Sequence, residues 1–410
     1  MVIAGEASGD MLAAEVVREM RARFATAADA PFPPRFFGAG GPQLAAAGVE
    51  LACDLTQHAV VGLVEVLRNY GRFRRLFDDL LQLARERQPE LIICVDFGGF
   101  NRRFAHAVKE LVRGARDGPF QNWRPRIVQY VSPQVWASRP GRAAKMAPDL
   151  DLLLTIFPFE KAWYAARLPQ LRVEFVGHPL FDRHERAGEA ADRDSPDTAA
   201  NGGEETVLLL PGSRRGELNR HLPVLLDAWR IIHATRPAAR AVMVLPNDSL
   251  AGLAREILGR HAGGGTPAAS PTPTPAPALT IGGLAAALRT ATVALASTGT
   301  VTMECAYFGV PTVALYRTSW STYQIGKRII TVKYLAMPNL LADAVVYPEF
   351  IQDAATPANL AGAALEWLAH PEKRAATRER LREIMVDLGG PGANRRAAAA
   401  MVRLLGETAG

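Results

Sequence analysis

Several groups of residues in this chain have types and spacings suited to chemistry on an anionic, hydroxyl-rich ligand. Asp96 follows the apolar run Leu91–Val95 and opens the stretch Asp96-Phe97-Gly98-Gly99-Phe100-Asn101. A carboxylate at the carboxyl edge of a buried strand can take a proton from a hydroxyl within hydrogen-bond reach. The same residue could equally cap the next helix or hold the turn. Val207–Leu210 leads into Pro211-Gly212-Ser213-Arg214. Here Ser213 can cap a helix, and Arg214 stands beside its positive end, where a diphosphate or a base edge would be held. A capped helix with solvated arginines is the structural alternative. Ala294–Ala296 leads into Ser297-Thr298-Gly299-Thr300 and a helix that carries Glu304 one turn in. Small residues let a diphosphate approach free N–H groups at a helix start, and Glu304 has the reach for ribose hydroxyls. An acid is also simply favourable that near a helix N-terminus. A diphosphate neutralised by the helix start and Arg214 needs no metal. The D-x-D motif, Asp149-Leu150-Asp151, precedes a strand at the end remote from the expected ligand, and reads as polarity at the strand's beginning.

Other candidates rest on less. The opening Gly5-Glu6-Ala7-Ser8-Gly9-Asp10 joins a strand to a helix. Its glycines permit a tight turn and its helix start faces an anion, or else Asp10 is an ordinary N-cap. The strand ahead of it is short, as if truncated or begun late. In Tyr130–Arg142, Trp136 could stack on a ring and Arg139 or Arg142 could meet phosphate, against core packing and solvated arginines. His178, in Gly177-His178-Pro179, has a site reading beside a structural one. Residues 63–77 mix apolar side chains with Arg68, Arg72, Arg74 and Arg75. On pattern alone this is a helix with its apolar face on the core, although such a stretch can also sit at an anionic headgroup boundary.

These residues need a scaffold that gathers strand ends. Short apolar runs alternate with amphipathic stretches along the chain, which is the pattern of parallel, helix-covered sheets. Strands are expected at Val2–Ala4, Arg35–Gly38, Leu91–Val95, Ile127–Val131, Leu152–Ile156 and Glu174–Val176. In the second half they are expected at Val207–Leu210, Ala241–Leu245, Val293–Ala296 and Thr312–Leu315. Leu12, Val16, Met20 and Phe24 mark one helical face. The fold expected is α/β, with two Rossmann-like domains facing across a cleft and a helical C-terminal tail. The boundaries are 1–185 for the first domain, 186–206 for a mobile linker and 207–356 for the second domain, with a disordered Gly/Pro/Thr-rich insert at 262–278. The tail, 357–410, packs back on the first domain or on a partner. A chain of 410 residues is long enough for two cores, and 49% apolar content suits that. Three scattered cysteines without C-x-x-C argue against a disulfide frame or structural zinc. The net charge of +6 favours anionic partners without choosing among nucleotides, phosphorylated lipids, membranes and nucleic acid.

Taken in order, these pieces resemble the lipid-A-disaccharide synthase family. The matching text is I-A-G-E-A-S-G-D (3–10), G-G-P-Q-L (40–44), V-V-G-L-V-E-V-L (60–67), V-D-F-G-G-F-N (95–101) and Y-V-S-P-Q-V-W-A (130–137). It continues with F-P-F-E-K (157–161), F-V-G-H-P (175–179), L-L-P-G-S-R (209–214), S-T-G-T-V-T-M-E (297–304) and Y-L-A-M-P-N-L-L-A (334–342). The resemblance implies a GT-B fold and an inverting, metal-independent glycosyltransferase without cofactor. The reaction implied moves 2,3-diacylglucosamine from UDP to the 6-hydroxyl of 2,3-diacylglucosamine 1-phosphate, forming a β-1,6 disaccharide. By matching position, Asp96 becomes the base and Asn339 an essential polar residue near the donor. Gly212, Ser213, Arg214, Ser297, Thr298, Gly299, Thr300 and Glu304 become the UDP site. Glu6, Ser8, Gly9, Asp10, Trp136, Arg139 and His178 fall on the acceptor side. Val64, Val66, Leu67, Arg72, Phe73, Arg74, Arg75, Leu76 and Phe77 become a membrane-docking surface, reversing the pattern-only reading. The family further implies a cytoplasmic enzyme peripheral to the inner membrane, a homodimer with exchanged C-terminal segments, and no nucleic-acid partner.

Two departures from the family pattern bear on the acceptor. Gly98-Gly99 fills the space where a second acid usually follows Asp96, and Ser138 replaces a second tryptophan after Trp136. Rival readings are a UDP-N-acetylglucosamine 2-epimerase-like enzyme, and an inactive lipid- or nucleotide-binding relative.

Overall fold

The computed structural model describes residues 1–26, 33–56, 70–114, 122–186, 204–263 and 274–407. Most of the expected linker (187–203) and insert (264–273) lies outside them, as do positions 64, 66 and 67. The chain divides into two compact units. One is Met1–Asp182 together with Leu388–Gly410, and the other is Arg183–Asp387.

The first unit is built on seven parallel strands. In chain order its elements are β1 (Val2–Ala4), α1 (Ala7–Thr26), β2 (Phe37–Gly40), α2 (Pro42–Ala46), β3 (Glu50–Asp54), α3 (Tyr70–Arg87) and β4 (Leu91–Val95). There follow α4 (Gly98–Gly114), β5 (Arg126–Tyr130), α5 (Arg142–Met146), β6 (Leu152–Thr155), α6 (Pro158–Ala165), β7 (Val173–Phe175) and α7 (Leu180–Arg186), the last carrying the division between the units. The strand order is β3-β2-β1-β4-β5-β6-β7, so the chain reverses direction across the sheet between β1 and β4. In such sheets ligands bind beyond the strands' carboxyl ends at that switch. β1 and β4 are buried throughout, which is why both read as pure apolar runs.

The second unit repeats the plan with six parallel strands. Its elements are β8 (Thr206–Leu210), α8 (Arg215–Thr235), β9 (Arg240–Leu245), α9 (Asp248–Gly263), β10 (Ala278–Ile281), α10 (Leu284–Thr290) and β11 (Val293–Ser297). Next come α11 (Thr300–Tyr307), β12 (Thr312–Tyr316), α12 (Trp320–Ile329), α13 (Met337–Ala342), β13 (Glu349–Ile351), α14 (Pro357–Ala369) and α15 (Pro371–Asp387). Their order, β10-β9-β8-β11-β12-β13, puts the reversal between β8 and β11.

The expected strands are present within a residue or two. β2 lies two residues later than expected, because Gly38 belongs inside the strand rather than at its end. A Cβ there would fall 1.9 Å from the Val2 carbonyl oxygen, so only glycine lets β1 approach this closely. Strands β3, β10 and β13 were not expected. All of them are sheet edges, partly exposed and lacking a continuous apolar run.

The tail does not behave as one piece. α14 and α15 stay with the second unit, and only α16 (Ala393–Gly406) joins the first, where it packs on α1. Its start is held by Asp182, whose carboxylate accepts N–H groups from Gly392, Ala393 and Asn394. Asn394 is fully buried. It donates to Glu15 at 2.7 Å and accepts from the Tyr130 hydroxyl at 2.9 Å. Asp182→Ala leaves those buried donors unmet and should cost about 1–3 kcal/mol. Cleavage between 387 and 393 under limited proteolysis should then appear first; unchanged protection there would show that Asp182 does not seat the helix.

Candidate active site

Where β4 ends, the chain turns through two successive left-handed residues, Asp96 (φ 48°) and Phe97 (φ 45°). Non-glycine residues enter this region at a cost, and they do so in numbers at functional sites. The turn is bracketed from both sides. Asn101 in α4 donates to the Asp96 carbonyl at 2.8 Å, and Gln129 in β5 donates to the same oxygen at 3.1 Å. Gly5 makes room for Phe97, since a Cβ there would sit 2.2 Å from the ring. The loop 5–9 thus lies beside Asp96, with Glu6 and Ser8 exposed. Burial first, and the negative field of Glu6 second, hold the Asp96 carboxyl above its usual range. A carboxylate tuned upward in this way is suited to accept a proton.

Asp10 is neither a cap for α1 nor exposed to a ligand. It lies within the first turn of that helix, 2% exposed, and accepts the N–H groups of Gly41, Gln43 and Leu44 at the start of α2. Trp136 is likewise committed: its ring is buried and Nε1 donates to Glu160 at 2.9 Å. Glu160 also accepts from Ser132 Oγ at 2.5 Å and from the Phe157 N–H at 3.1 Å. Burial raises its pKa against those three bonds. This residue pins the loop after β5, yet in sequence it is only the third residue of an ordinary helix. His178 is buried, lies tilted against the Phe157 ring at 5.5 Å and accepts the Leu180 N–H at 3.2 Å. Arg139 is exposed. In the D-x-D motif, Asp149 pairs with His106 at 3.0 Å and Asp151 pairs with Lys109 at 2.8 Å.

Of the expected membrane residues, Leu76 and Phe77 face inward. Both pack against the core of the first unit, and Phe77 meets Phe100 at 5.4 Å. Arg74 and Arg75 are exposed, and Phe73 is half-buried. The Arg72 side chain lies outside the described residues. Among the described residues no helix is long and apolar enough to cross a membrane.

In the second unit, β8 ends at Pro211-Gly212-Ser213-Arg214 and α8 follows. Ser213 does not cap α8; Arg214 holds the N-cap position with no side-chain cap. Glu217 reaches back instead, taking the Ser213 N–H at 3.1 Å and meeting Arg214 at 3.3 Å. Gly212 (φ 119°) is required, because a Cβ would strike the Glu217 carboxylate at 2.5 Å. His221 ties this turn to the loop after β12. Its Nδ1 lies 2.9 Å from the Pro211 carbonyl, and Nε2 accepts the Arg317 N–H at 3.0 Å. Burial pushes its pKa down, consistent with a neutral ring protonated at Nδ1. Sequence reading did not single out His221, which sits on an otherwise apolar helix face.

β11 ends at the buried Ser297, and Gly299 (φ 131°) forms the N-cap of α11 with open space where a side chain would be. Gly299 and Thr300 are exposed. Glu304 is 7% exposed and engaged by Arg183 at 2.9 Å and His184 at 2.5 Å, with His184 stacked on Tyr307. Asn339, expected beside the donor, is fully buried. Its amide donates to the Tyr347 carbonyl and Glu349, and its oxygen accepts the N–H groups of Val346 and Tyr347. With all those bonds internal, Asn339 brackets the approach to β13 and presents nothing to a ligand.

A family model described as lipid-A-disaccharide synthetase matches residues 1–403. The lipid-A-disaccharide synthase of Trichlorobacter lovleyi is 34% identical over 406 residues, covering 99% of this chain and 97% of that protein. Among solved structures, the UDP-GlcNAc 2-epimerase of Neisseria meningitidis bound to UDP-GlcNAc aligns with a TM-score of 0.55 at 10% identity, covering 95% of this chain and 96% of that one. The glycotransferase of kitacinnamycin gives 0.54 at 19% identity, covering 98% of each chain. At such identities these two speak for the fold alone, which is of the GT-B kind.

The raised pKa of Asp96 has a consequence for stability. The folded chain keeps a proton that the unfolded chain releases, so this group's contribution is complete below about pH 4 and is lost as pH rises through its folded pKa. Asn tolerates left-handed backbone and carries no charge. Asp96→Asn should therefore melt a few degrees above the parent at pH 8, with the gap closing toward pH 4. A gap independent of pH would contradict this origin of the shift.

Proposed function

The chain belongs to the lipid-A-disaccharide synthetase family, and from that membership we propose a reaction for it together with the residues that carry the reaction. The donor is UDP-2,3-diacylglucosamine and the acceptor is 2,3-diacylglucosamine 1-phosphate. Asp96 takes the proton from the acceptor 6-hydroxyl as that oxygen attacks the donor's anomeric carbon. The bond to UDP breaks on the opposite face, giving inversion and a β-1,6 link. Arg214 and the free N–H groups at the start of α11 stabilise the charge growing on the departing UDP. Glu304, kept in place by Arg183 and His184, accepts the ribose hydroxyls. Asn339, Glu160 and Asp10 act as positioning residues, each holding a loop whose neighbours meet substrate.

The observation that carries this reading is Asp96 itself: a half-buried carboxylate at the carboxyl end of a central strand, on a residue whose main-chain carbonyl is held by two side-chain amides, with burial tuning the carboxyl toward accepting a proton. Both substrates are acylated, so the enzyme works as a cytoplasmic protein peripheral to the inner membrane, with Phe73, Arg74 and Arg75 at the anionic surface. α16, a separable helix seated by Asp182, is the segment exchanged in a homodimer.

Incubating the protein with both lipids and weighing the product tests the reaction. Asp96→Asn should lower transfer by about 10²–10⁴-fold while UDP binds as before. Arg214→Ala should weaken UDP about tenfold. Parent-level turnover by Asp96→Asn would remove Asp96 as the base. Conversion of UDP-N-acetylglucosamine alone to its C2 epimer would favour the epimerase reading instead.

A further inference from the structure

Four arginines of the first unit stand on two neighbouring elements, and among the described residues no carboxylate answers them. Arg102 and Arg103 belong to the second turn of α4; Arg139 and Arg142 flank the turn into α5, where the Arg142 N–H meets the Arg139 carbonyl at 2.9 Å. α4 and the segment after β5 share one pocket, lined by Gly98, Arg102, Gln129, Pro133 and Met146; of the four arginines Arg102 is in its lining, and Arg142 stands one turn before Met146 on α5. Asp149 also lines it, but that carboxylate is taken by His106 at 3.0 Å. Among the described residues none of the four arginines forms an ion pair. Arg102 is half-buried and the others are exposed. Burial first, and then the positive fields of Arg139, Arg102 and Arg103, push the Arg142 pKa down.

Other arginines of this unit do find carboxylates. Arg87 pairs with Glu50 and Arg172 with Glu174 and Glu407. An unmatched cluster is a loss to the free protein that a bound dianion would offset, and guanidinium forks fit the oxygens of a phosphomonoester. Placement points the same way. α4 begins two residues after Asp96, and Arg102 lies four residues further, about 6 Å along the axis. That distance is comparable with the length of a hexose, whose attacked hydroxyl and anomeric phosphate sit at opposite ends of the ring.

We propose that Arg102, Arg103, Arg139 and Arg142 form a phosphomonoester site that holds the 1-phosphate of the acceptor while its 6-hydroxyl faces Asp96. This rests on the transfer reaction proposed above. It gives Arg102 and Arg103 a role that their position in an amphipathic helix does not reveal. It predicts selection of a phosphorylated acceptor over the same lipid without phosphate.

The test is equilibrium titration of the full chain with each acceptor, phosphorylated and unphosphorylated, in neutral detergent. Neutral detergent removes any contribution from an anionic bilayer, and binding is read whether or not turnover occurs. The parent protein should bind the phosphorylated lipid at least tenfold more tightly. Arg102→Gln/Arg142→Gln should bind both lipids alike, Arg102→Lys/Arg142→Lys should recover part of the preference, and UDP affinity should be unchanged in each. The proposal is overturned if the parent shows no preference for phosphate. It is equally overturned if the Gln variant keeps that preference, or if the variant loses only its hold on anionic vesicles, which would make the cluster a bilayer contact. Weighing the product of a parallel incubation with donor reports on the transfer reaction separately, so a failed transfer and a failed phosphate site are told apart.

Discussion

The end of β4 sets the constraint on which the first unit's chemistry depends. Two consecutive left-handed residues cost on the order of 1–3 kcal/mol each. They persist because Asn101 and Gln129 both hold the Asp96 carbonyl and because Gly5 yields space to the Phe97 ring. The outcome is a carboxylate lifted off the strand, partly desolvated, and adjacent to the first loop. The Glu160 bracket on the loop after β5 serves the same region from the other side, fixing Ser132 and Trp136. Side chains that look like ligand contacts in sequence are, in several cases, the braces for those that remain.

The second unit solves a different problem with milder means. A leaving diphosphate needs donors that are already oriented and not already bonded. In the proposed site Gly299 leaves open space at the start of α11, a helix without a side-chain cap, and Gly212 lets Glu217 close on the turn after β8. Glu217 and His221 hold the first turn, while Arg183 and His184 hold Glu304. Of these braces, Glu217, His221, Arg183 and His184 all lie outside the quoted motif text, and none is conspicuous by spacing.

Legibility in the sequence followed burial. Strands buried on both faces, such as β4, β8 and β11, were readable because a parallel sheet covered by helices demands continuous apolar runs. Edge strands β3, β10 and β13 were not, since partial exposure relaxes that demand. The placement of Asp96, Arg214 and Ser297–Thr300 in turns after buried strands was legible because strand, turn and helix follow one another in a few residues. Asp10, Trp136 and Asn339 are committed to internal partners further along the chain, as with Asp10 and Gly41 or Asn339 and Glu349, whereas Ser213 yields the cap position to Arg214 and gives its N–H to the nearby Glu217. Leu76 and Phe77 face the core, Phe77 against Phe100 and Phe104, as the apolar pattern of residues 63–77 had it before the family resemblance moved them to a membrane surface.

The central claim is that the diphosphate of UDP rests on main-chain amides where β11 turns into α11. A crystal structure of the protein with UDP addresses it directly. The account predicts phosphate oxygens within hydrogen-bond distance of the N–H groups around Gly299–Val301, with the Arg214 guanidinium turned toward them. Nucleotide bound away from that helix start, with those amides facing only solvent, would contradict it.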